Sequence, residues 1–201
     1  MHPHRSTSAL VLKLRPKERS FLCWATEKQE LLKLKVIEGS EVEPGNWVNV
    51  KYAQDGAPES YSELLDSYLT KATADSVQVR CVAKTASQEY VQQHKKKRRA
   101  VYNPRLGWAR APSYNHELVA QLESPDTTFE AIFACVLRND FFINQYWLRG
   151  TIWTLMQVSR DVDRTTDLSD VNVRMPWDPE PVEIRPEHTR LLLQPYVNIL
   201  R

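Results

Sequence analysis

The segment GNWVNVKY, residues 45–52, decides the predicted fold class because its side chains alternate in character. Successive side chains of a β-strand point to opposite faces of a sheet. One face of this segment carries Val48, Val50 and Tyr52. The other face carries Trp47, Asn49 and Lys51. The period of two predicts a strand whose aliphatic face fills a core and whose other face is open to a ligand. The alternative is that this other face packs against the second domain.

The same alternation recurs on both sides of this segment and predicts a chain built mainly from β-strands. Residues 62–72 differ, because they place leucines and a tyrosine at helical spacing and so predict one short helix. Five short strands and one helix are typical of a small barrel. The alternating segments are residues 8–15, 21–27, 30–37, 47–52 and 77–83.

These patterns divide the chain into two domains joined by a linker. Residues 1–7 are predicted to be a flexible N-terminus, and residues 8–84 a first small β-barrel with an inserted helix. Residues 85–115 run polar, then basic, then irregular with Pro and Gly, which is typical of a linker. Residues 116–201 alternate again and predict a second small β-rich domain.

The strand at residues 45–51, entered from a hairpin and followed by a helix, resembles the third strand of OB- and S1-type barrels. It is also compatible with Tudor- and SH3-like barrels. The resemblance implies two such small antiparallel β-barrels in tandem, in a fold that is mainly β with a few short helices. It also implies a binding function, since such barrels often bind single strands or modified peptides.

Composition predicts an intracellular protein. No apolar run approaches the roughly 20 residues that cross a bilayer. The three cysteines, Cys23, Cys81 and Cys135, lie far apart in apolar runs, which predicts buried free thiols in a reducing compartment. Residues 95–99 are five consecutive cations with the form of a nuclear import signal, so a nuclear location is slightly favoured over a cytoplasmic one.

The sequence predicts a protein without catalytic activity, cofactor or metal. Its five histidines are far apart, it has no Cys-x-x-Cys pair, and its five glycines exclude most phosphate-binding loops. Residues 160–170 carry four aspartates interleaved with two arginines, which favours a solvated loop with local charge pairing. A metal-dependent hydrolase is the minor alternative, and it would use Asp161, Asp163, Asp167 and Asp170.

The charge distribution favours the first half of the chain for contact with a polyanion. Residues 1–100 carry 17 Lys and Arg against 12 Asp and Glu, whereas the remainder carries 10 against 13. The leading hypothesis is an adaptor that binds RNA or a ribonucleoprotein through the first barrel and the linker. The alternative is a scaffold that binds partner peptides without nucleic acid. The candidate contact residues are Arg15, Lys17, Arg19, Trp47, Asn49, Lys51, Lys95, Lys96, Lys97, Arg98 and Arg99.

Overall fold

The computed structural model describes residues 6–64, 68–137, 151–160 and 175–178. Within these ranges the chain forms two β-sheets, and two short α-helices are inserted between strands of the second. The prediction of a mainly β protein with a few short helices is confirmed. Neither helix of the described ranges is long and apolar enough to cross a membrane.

The first sheet, here called the open sheet, is antiparallel and has the strand order β3-β2-β1-β4-β5. Tight turns join its first three strands: a 3-10 helix (Pro16–Glu18) precedes β2, and Gln29, with a φ of 50°, precedes β3. The strands are β1 (Ser6–Arg15), β2 (Ser20–Ala25), β3 (Glu30–Lys35), β4 (Trp47–Tyr52) and β5 (Pro58–Leu64).

The second sheet contains a closed barrel of five strands. Its strand β7 pairs with β8 and also with β10, so the ring runs β7-β8-β9-β11-β10 and returns to β7. Only the pair of β9 with β11 is parallel among its described pairs. The strand β6 pairs with β7 outside the ring. The strands are β6 (Leu69–Ala72), β7 (Ser76–Thr85), β8 (Ala100–Asn103), β9 (Gly107–Arg110), β10 (Thr128–Val136) and β11 (Trp153–Ser159).

Side-chain caps begin both helices of the barrel. The helix α1 (Gln88–Gln93) connects β7 to β8, and the Ser87 hydroxyl accepts a hydrogen bond from the Tyr90 N–H at 3.2 Å. The helix α2 (His116–Gln121) connects β9 to β10, and the Asn115 side chain accepts from the Leu118 N–H at 3.0 Å. Both caps satisfy N–H groups that have no partner inside the helix.

One apolar core joins the open sheet to the barrel. Leu10, Leu12 and Trp24 of the open sheet belong to the same buried cluster as Phe129 and Trp153 of the barrel. The rings of Trp24 and Trp153 meet edge to face at 6.1 Å. A second cluster lies on the opposite face of the open sheet and includes Ala9, Val11, Phe21, Val48, Val50 and Tyr52. The central strands of the open sheet are therefore buried on both faces.

This shared core corrects the predicted domain organisation. Residues 85–115 are not a linker, because they contain α1, β8 and β9, and the latter two strands are part of the closed ring. Residues 77–83 belong to the first strand of the closed barrel rather than to the last strand of an earlier one. The two strands β8 and β9 have only four residues each, which is too short for alternation to be evident in the sequence.

The predicted helix at residues 62–72 is also wrong at both ends. Residues up to Leu64 belong to β5, and residues from Leu69 belong to β6. Tyr68 is buried, but the Leu69 side chain is 65% exposed. Leu64 and Leu69 belong to the set of apolar residues with helical spacing in the sequence, but they lie in two different strands. The predicted flexible N-terminus, residues 1–7, overlaps β1 at residues 6 and 7, and residues 1–5 lie outside the described ranges.

In the second half of the chain, β10 bears out the predicted alternation. Phe129, Ala131, Phe133 and Cys135 of β10 are all buried in the shared core. Residues 138–150, 161–174 and 179–201 lie outside the described ranges.

Candidate nucleic-acid interface

The outer face of β8 and β9 carries aromatic side chains. Alternation along these strands points Val101 and Ala109 into the core and leaves Tyr102, Trp108 and Arg110 half-buried on the outside. Tyr102 and Trp108 are direct partners across the strand pair, and their ring centroids are 5.1 Å apart. Cross-strand aromatic pairs stabilise antiparallel sheets. This pair forms the centre of the candidate site.

The helix α1 adds a third ring to this pair. The Tyr90 ring lies parallel to the Trp108 ring within 10°, with centroids 6.1 Å apart. His94 is exposed and lies one residue beyond the helix, and its ring centroid is 4.3 Å from that of Tyr90. We call Tyr90, Tyr102 and Trp108 the aromatic platform. Its three rings come from one helix and two strands of the barrel.

Trp177 packs across the aromatic platform. Its ring centroid is 5.8 to 6.0 Å from the centroids of all three platform rings. It lies in a short turn, in which the Met175 N–H donates to the Asp178 carboxylate at 2.7 Å. The indole Nε1 of Trp177 is buried without a hydrogen-bond partner among the described residues. An unpaired buried donor is costly, and among the described residues the contacts of this indole that offset the cost are those with the platform rings.

Residues 95–99, here called the basic turn, adjoin the platform. Lys95–Lys97 form a 3-10 helix, and the Ala111 N–H donates to the Arg99 carbonyl at 3.0 Å beyond it. The ammonium of Lys97 lies 4.4 Å from the centre of the Trp108 ring. Burial, with a smaller effect from the Arg110 charge, lowers the pKa of Lys97. The basic turn lies in the connection between α1 and β8 and not in a linker between two domains, and its role as an import signal stays a prediction.

A groove of about 830 Å³ runs beside the basic turn. It lies between α1, the ends of β7 and β9, and the segment that follows α2. Arg110, next but one to Trp108 on β9, is shared between this groove and the outer face of the platform strands. The charged side chains that line it are those of Lys95, Lys97, Arg98, Arg99, Arg110 and Glu123.

The open sheet holds one side of the platform in place. The Gln29 side-chain amide donates to the Tyr102 hydroxyl and to the Pro104 carbonyl, both at 2.8 Å. Gly107 makes room for this contact, because a Cβ at its position would lie 2.9 Å from the Gln29 Oε1. The φ of Gly107 is +80°, a conformation that favours glycine. On the barrel side, the Thr151 hydroxyl donates to the Trp108 carbonyl.

Trp47 is not an exposed contact residue, which corrects the sequence prediction. It is 5% exposed and lies in the core shared by the open sheet and the barrel. Its indole Nε1 donates to the Thr70 hydroxyl at 3.1 Å, and the guanidinium of Arg105 lies 5.0 Å from its ring. The alternation of β4 correctly separated Trp47 from Val48 and Val50. The face opposite these valines meets the barrel instead of solvent.

The remaining predicted contact residues belong to the open sheet, whereas the basic turn lies between α1 and β8 of the barrel. Arg15 and Glu18 form an ion pair at 3.4 Å around the turn between β1 and β2, and Lys17 and Arg19 belong to that same turn. Asn49 and Lys51 lie on β4, where Lys51 is exposed and Asn49 is half-buried. Of the predicted cations, Lys97 in the basic turn contacts an aromatic ring, that of Trp108.

The sequence reasoning missed the aromatic platform. Its signal was present, because Tyr102 and Trp108 flank a turn that contains Pro104 and Gly107, five residues after a run of cations. The linker interpretation concealed it. The acidic candidates Asp161, Asp163, Asp167 and Asp170 lie outside the described residues.

The three cysteines are free and buried, as predicted. Burial raises the pKa of Cys23 and of Cys135 to about 12 and also raises the pKa of Cys81. Thiols in this state are poor nucleophiles at neutral pH. They belong to the cores and not to the candidate site.

Comparison with known proteins gives this chain no family. No protein-family model, curated protein or solved structure matches it. The platform, the basic turn and the groove are therefore the basis on which a function can be proposed.

Proposed function

We propose that this chain binds single-stranded nucleic acid through the aromatic platform and the cations around it, without catalysing a reaction. The proposal rests on the contacts around Trp108. It faces Tyr102 across the strand pair, stacks with Tyr90 and has the ammonium of Lys97 4.4 Å from its ring centre. Rings and cations on one half-buried face are the two components that single-strand binding needs.

Each component has a separate task in this proposal. Bases stack on aromatic side chains with a contribution of about 1–3 kcal/mol per base, largely independent of sequence. Lys and Arg contact the phosphates and release counterions, which makes binding salt-dependent. The platform would take a base in the position that Trp177 fills, so a strand would have to displace this ring. Lys97 and Arg110 beside the platform would take the adjoining phosphates.

We also propose that the barrel is of the OB type. It is closed, has five strands, and carries a helix between its third and fourth strands when β7 is counted as the first. OB barrels bind oligonucleotides on strands 2 and 3 and on the loop between strands 1 and 2. In this chain those positions correspond to β8, β9 and the connection that contains α1 and the basic turn. The coincidence of rings and cations with these positions supports the proposal.

The scaffold alternative has one observation in its favour. The edge strand β6 exposes Leu69, and an unpaired edge with an apolar side chain can accept a partner strand. A single exposed leucine makes a smaller surface than the platform. Affinity purification with and without nuclease distinguishes nucleic-acid binding from the scaffold alternative. Proteins that bind the chain directly remain bound after nuclease treatment, whereas proteins bound through RNA are lost.

The direct test is a titration of labelled single-stranded RNA and DNA, followed by fluorescence anisotropy at about 50 and 200 mM salt. The wild type is expected to bind, and to bind more weakly at the higher salt. Trp108→Leu is expected to weaken binding by about 5- to 100-fold, as the loss of a stacking platform implies. The control is Tyr114→Leu, since Tyr114 is an aromatic residue with 83% exposure that lies outside the platform.

Two results would refute the proposal. The first is a wild type that binds no single strand at the lower salt. The second is a Trp108→Leu variant that folds and binds as tightly as the wild type. Equal losses in the Trp108 and Tyr114 variants would likewise show that the platform is not the contact surface.

A further inference from the structure

The groove beside the platform contains an excess of positive charge. Five cations and one carboxylate, that of Glu123, line it. Within the described part of the chain, none of these five cations forms an ion pair with a carboxylate. Like charges that share a concave surface repel one another and attract an anion.

The neutral lining of the groove also suits an anion. Gln88 and Gln92 are among its lining residues, and a glutamine side-chain amide can donate hydrogen bonds to oxygen atoms. Val91, Leu122 and Pro125 supply apolar surface, which displaces water and strengthens electrostatic attraction. These features fit phosphate oxygens held by charge-assisted hydrogen bonds.

Among the described residues that line the groove none is aromatic, which distinguishes the groove from the platform. It therefore offers a base no ring to stack on, whereas the platform offers rings with fewer cations. Lys97 belongs to both, because it lines the groove and its ammonium lies over Trp108. A ligand that follows this path would place a base on Trp108 and a charged group beyond Lys97.

We infer that the groove binds the terminal phosphate of a nucleic-acid strand whose end base lies on the platform. The inference rests on the proposed function and adds a preference for one class of strand end. A terminal phosphate carries a charge of about −1.5 to −2 and three acceptor oxygens. An internal phosphodiester carries a single negative charge, which five clustered cations exceed more than fourfold.

The test compares three strands of one sequence that differ only at their ends: hydroxyl at both ends, 5′-phosphate, and 3′-phosphate. Anisotropy titrations at about 150 mM salt measure Kd for each strand. One of the two phosphorylated strands is expected to bind about tenfold more tightly than the hydroxyl-ended strand, a difference of about 1.4 kcal/mol. The identity of that strand gives the polarity of binding.

Two charge-matched double variants locate the effect. Arg98→Gln with Arg99→Gln removes two cations from the groove, and Lys17→Gln with Lys51→Gln removes two exposed cations from the open sheet. The first pair is expected to abolish the gain from the terminal phosphate, and the second pair to retain it. Both should fold, because exposed single charges contribute little to stability. Arg110→Gln serves as a second groove variant.

The outcomes separate the inference from the proposed function. Equal Kd values for all three strands, with the loss in Trp108→Leu intact, would overturn the inference and leave the function standing. A phosphate gain that persists in the groove variants would also overturn it. Failure of every strand to bind would refute both. A rise in melting temperature with inorganic pyrophosphate, lost in the groove variants, would support the anion site without any strand.

Discussion

Trp47 and Trp108 make the same kind of contact in two regions of the molecule, yet their surroundings are opposite. A guanidinium lies 5.0 Å from the Trp47 ring, and an ammonium lies 4.4 Å from the Trp108 ring. The barrel covers the face of β4 that carries Trp47, which is buried, whereas Trp108 is half-buried on the outer face of the barrel. A tryptophan beside a cation is accessible to a ligand only where no second sheet covers its strand.

The largest expected effect is on folding, in the Trp47→Ala variant. Removing this buried side chain leaves a cavity where the open sheet meets the barrel, and it also leaves the Thr70 hydroxyl without its indole donor. The free energy of unfolding should fall by about 3–5 kcal/mol. Denaturant titration measures it. A loss below about 1 kcal/mol, together with a loss of RNA affinity, would reverse the assigned roles of the two tryptophans.

The Trp108→Leu variant should show the opposite balance. Leucine retains apolar contact with Tyr90 and Tyr102 but offers no ring to a base. Its free energy of unfolding should therefore fall by less than that of Trp47→Ala, because Trp108 is only half-buried and leucine still fills part of its place. Its affinity for single-stranded RNA should fall by about 5- to 100-fold, as expected for the loss of a stacking platform. Both the free energy of unfolding and the RNA affinity would be measured on both variants. Losses of stability and affinity in the same proportion in the two variants would contradict the separate roles of the two tryptophans.

The cysteines extend the comparison from the surface to the two cores. Cys23 lies in the cluster on the open sheet and Cys135 in the shared core, and burial raises the pKa of each thiol from 9.0 to about 12. The folded state holds both thiols neutral, while the unfolded chain ionises them above about pH 9. The contribution of these neutral thiols to stability is therefore fully present below about pH 9 and is lost as the pH rises toward 12.

Two measurements check this behaviour. Native protein at pH 8 should react with a thiol reagent far more slowly than unfolded protein does, and the denaturant midpoint should decrease between pH 9 and pH 11. Fast labelling of one cysteine in the native state would show that its core opens readily. A midpoint independent of pH in this range would contradict the raised pKa values.

The sequence predicts the strands β1 to β4 and β10 well, and the candidate site poorly. Long alternating runs such as residues 47–52 predict a strand because the side chains on its two faces differ. The same pattern cannot tell whether the second face meets solvent or another sheet, and Trp47 was misplaced for that reason. The platform was missed because Tyr90, Tyr102 and Trp108 come together only when α1 packs over two four-residue strands.

The smallest expected effect concerns the link between the two regions. Gln29→Ala removes two hydrogen bonds from the open sheet to the barrel, including the one to the Tyr102 hydroxyl. We expect a loss of about 1–2 kcal/mol in stability and a reduction in RNA affinity of no more than about threefold. The neighbouring Lys28→Ala is the control, since Lys28 contacts Tyr52 and Glu30 within the open sheet. Identical behaviour of the two variants would mean that the sheet does not position the platform.

Photocrosslinking tests the central claim most directly, because it reports where a strand lies without altering the protein. A single-stranded RNA that contains 5-bromouridine would be irradiated in complex with the wild type, and the attached peptides identified by mass spectrometry. The platform predicts crosslinks within residues 86–110, at Tyr90, Tyr102 or Trp108, and their loss at high salt. Crosslinks confined to residues 6–64 would place the ligand on the open sheet and contradict the assignment.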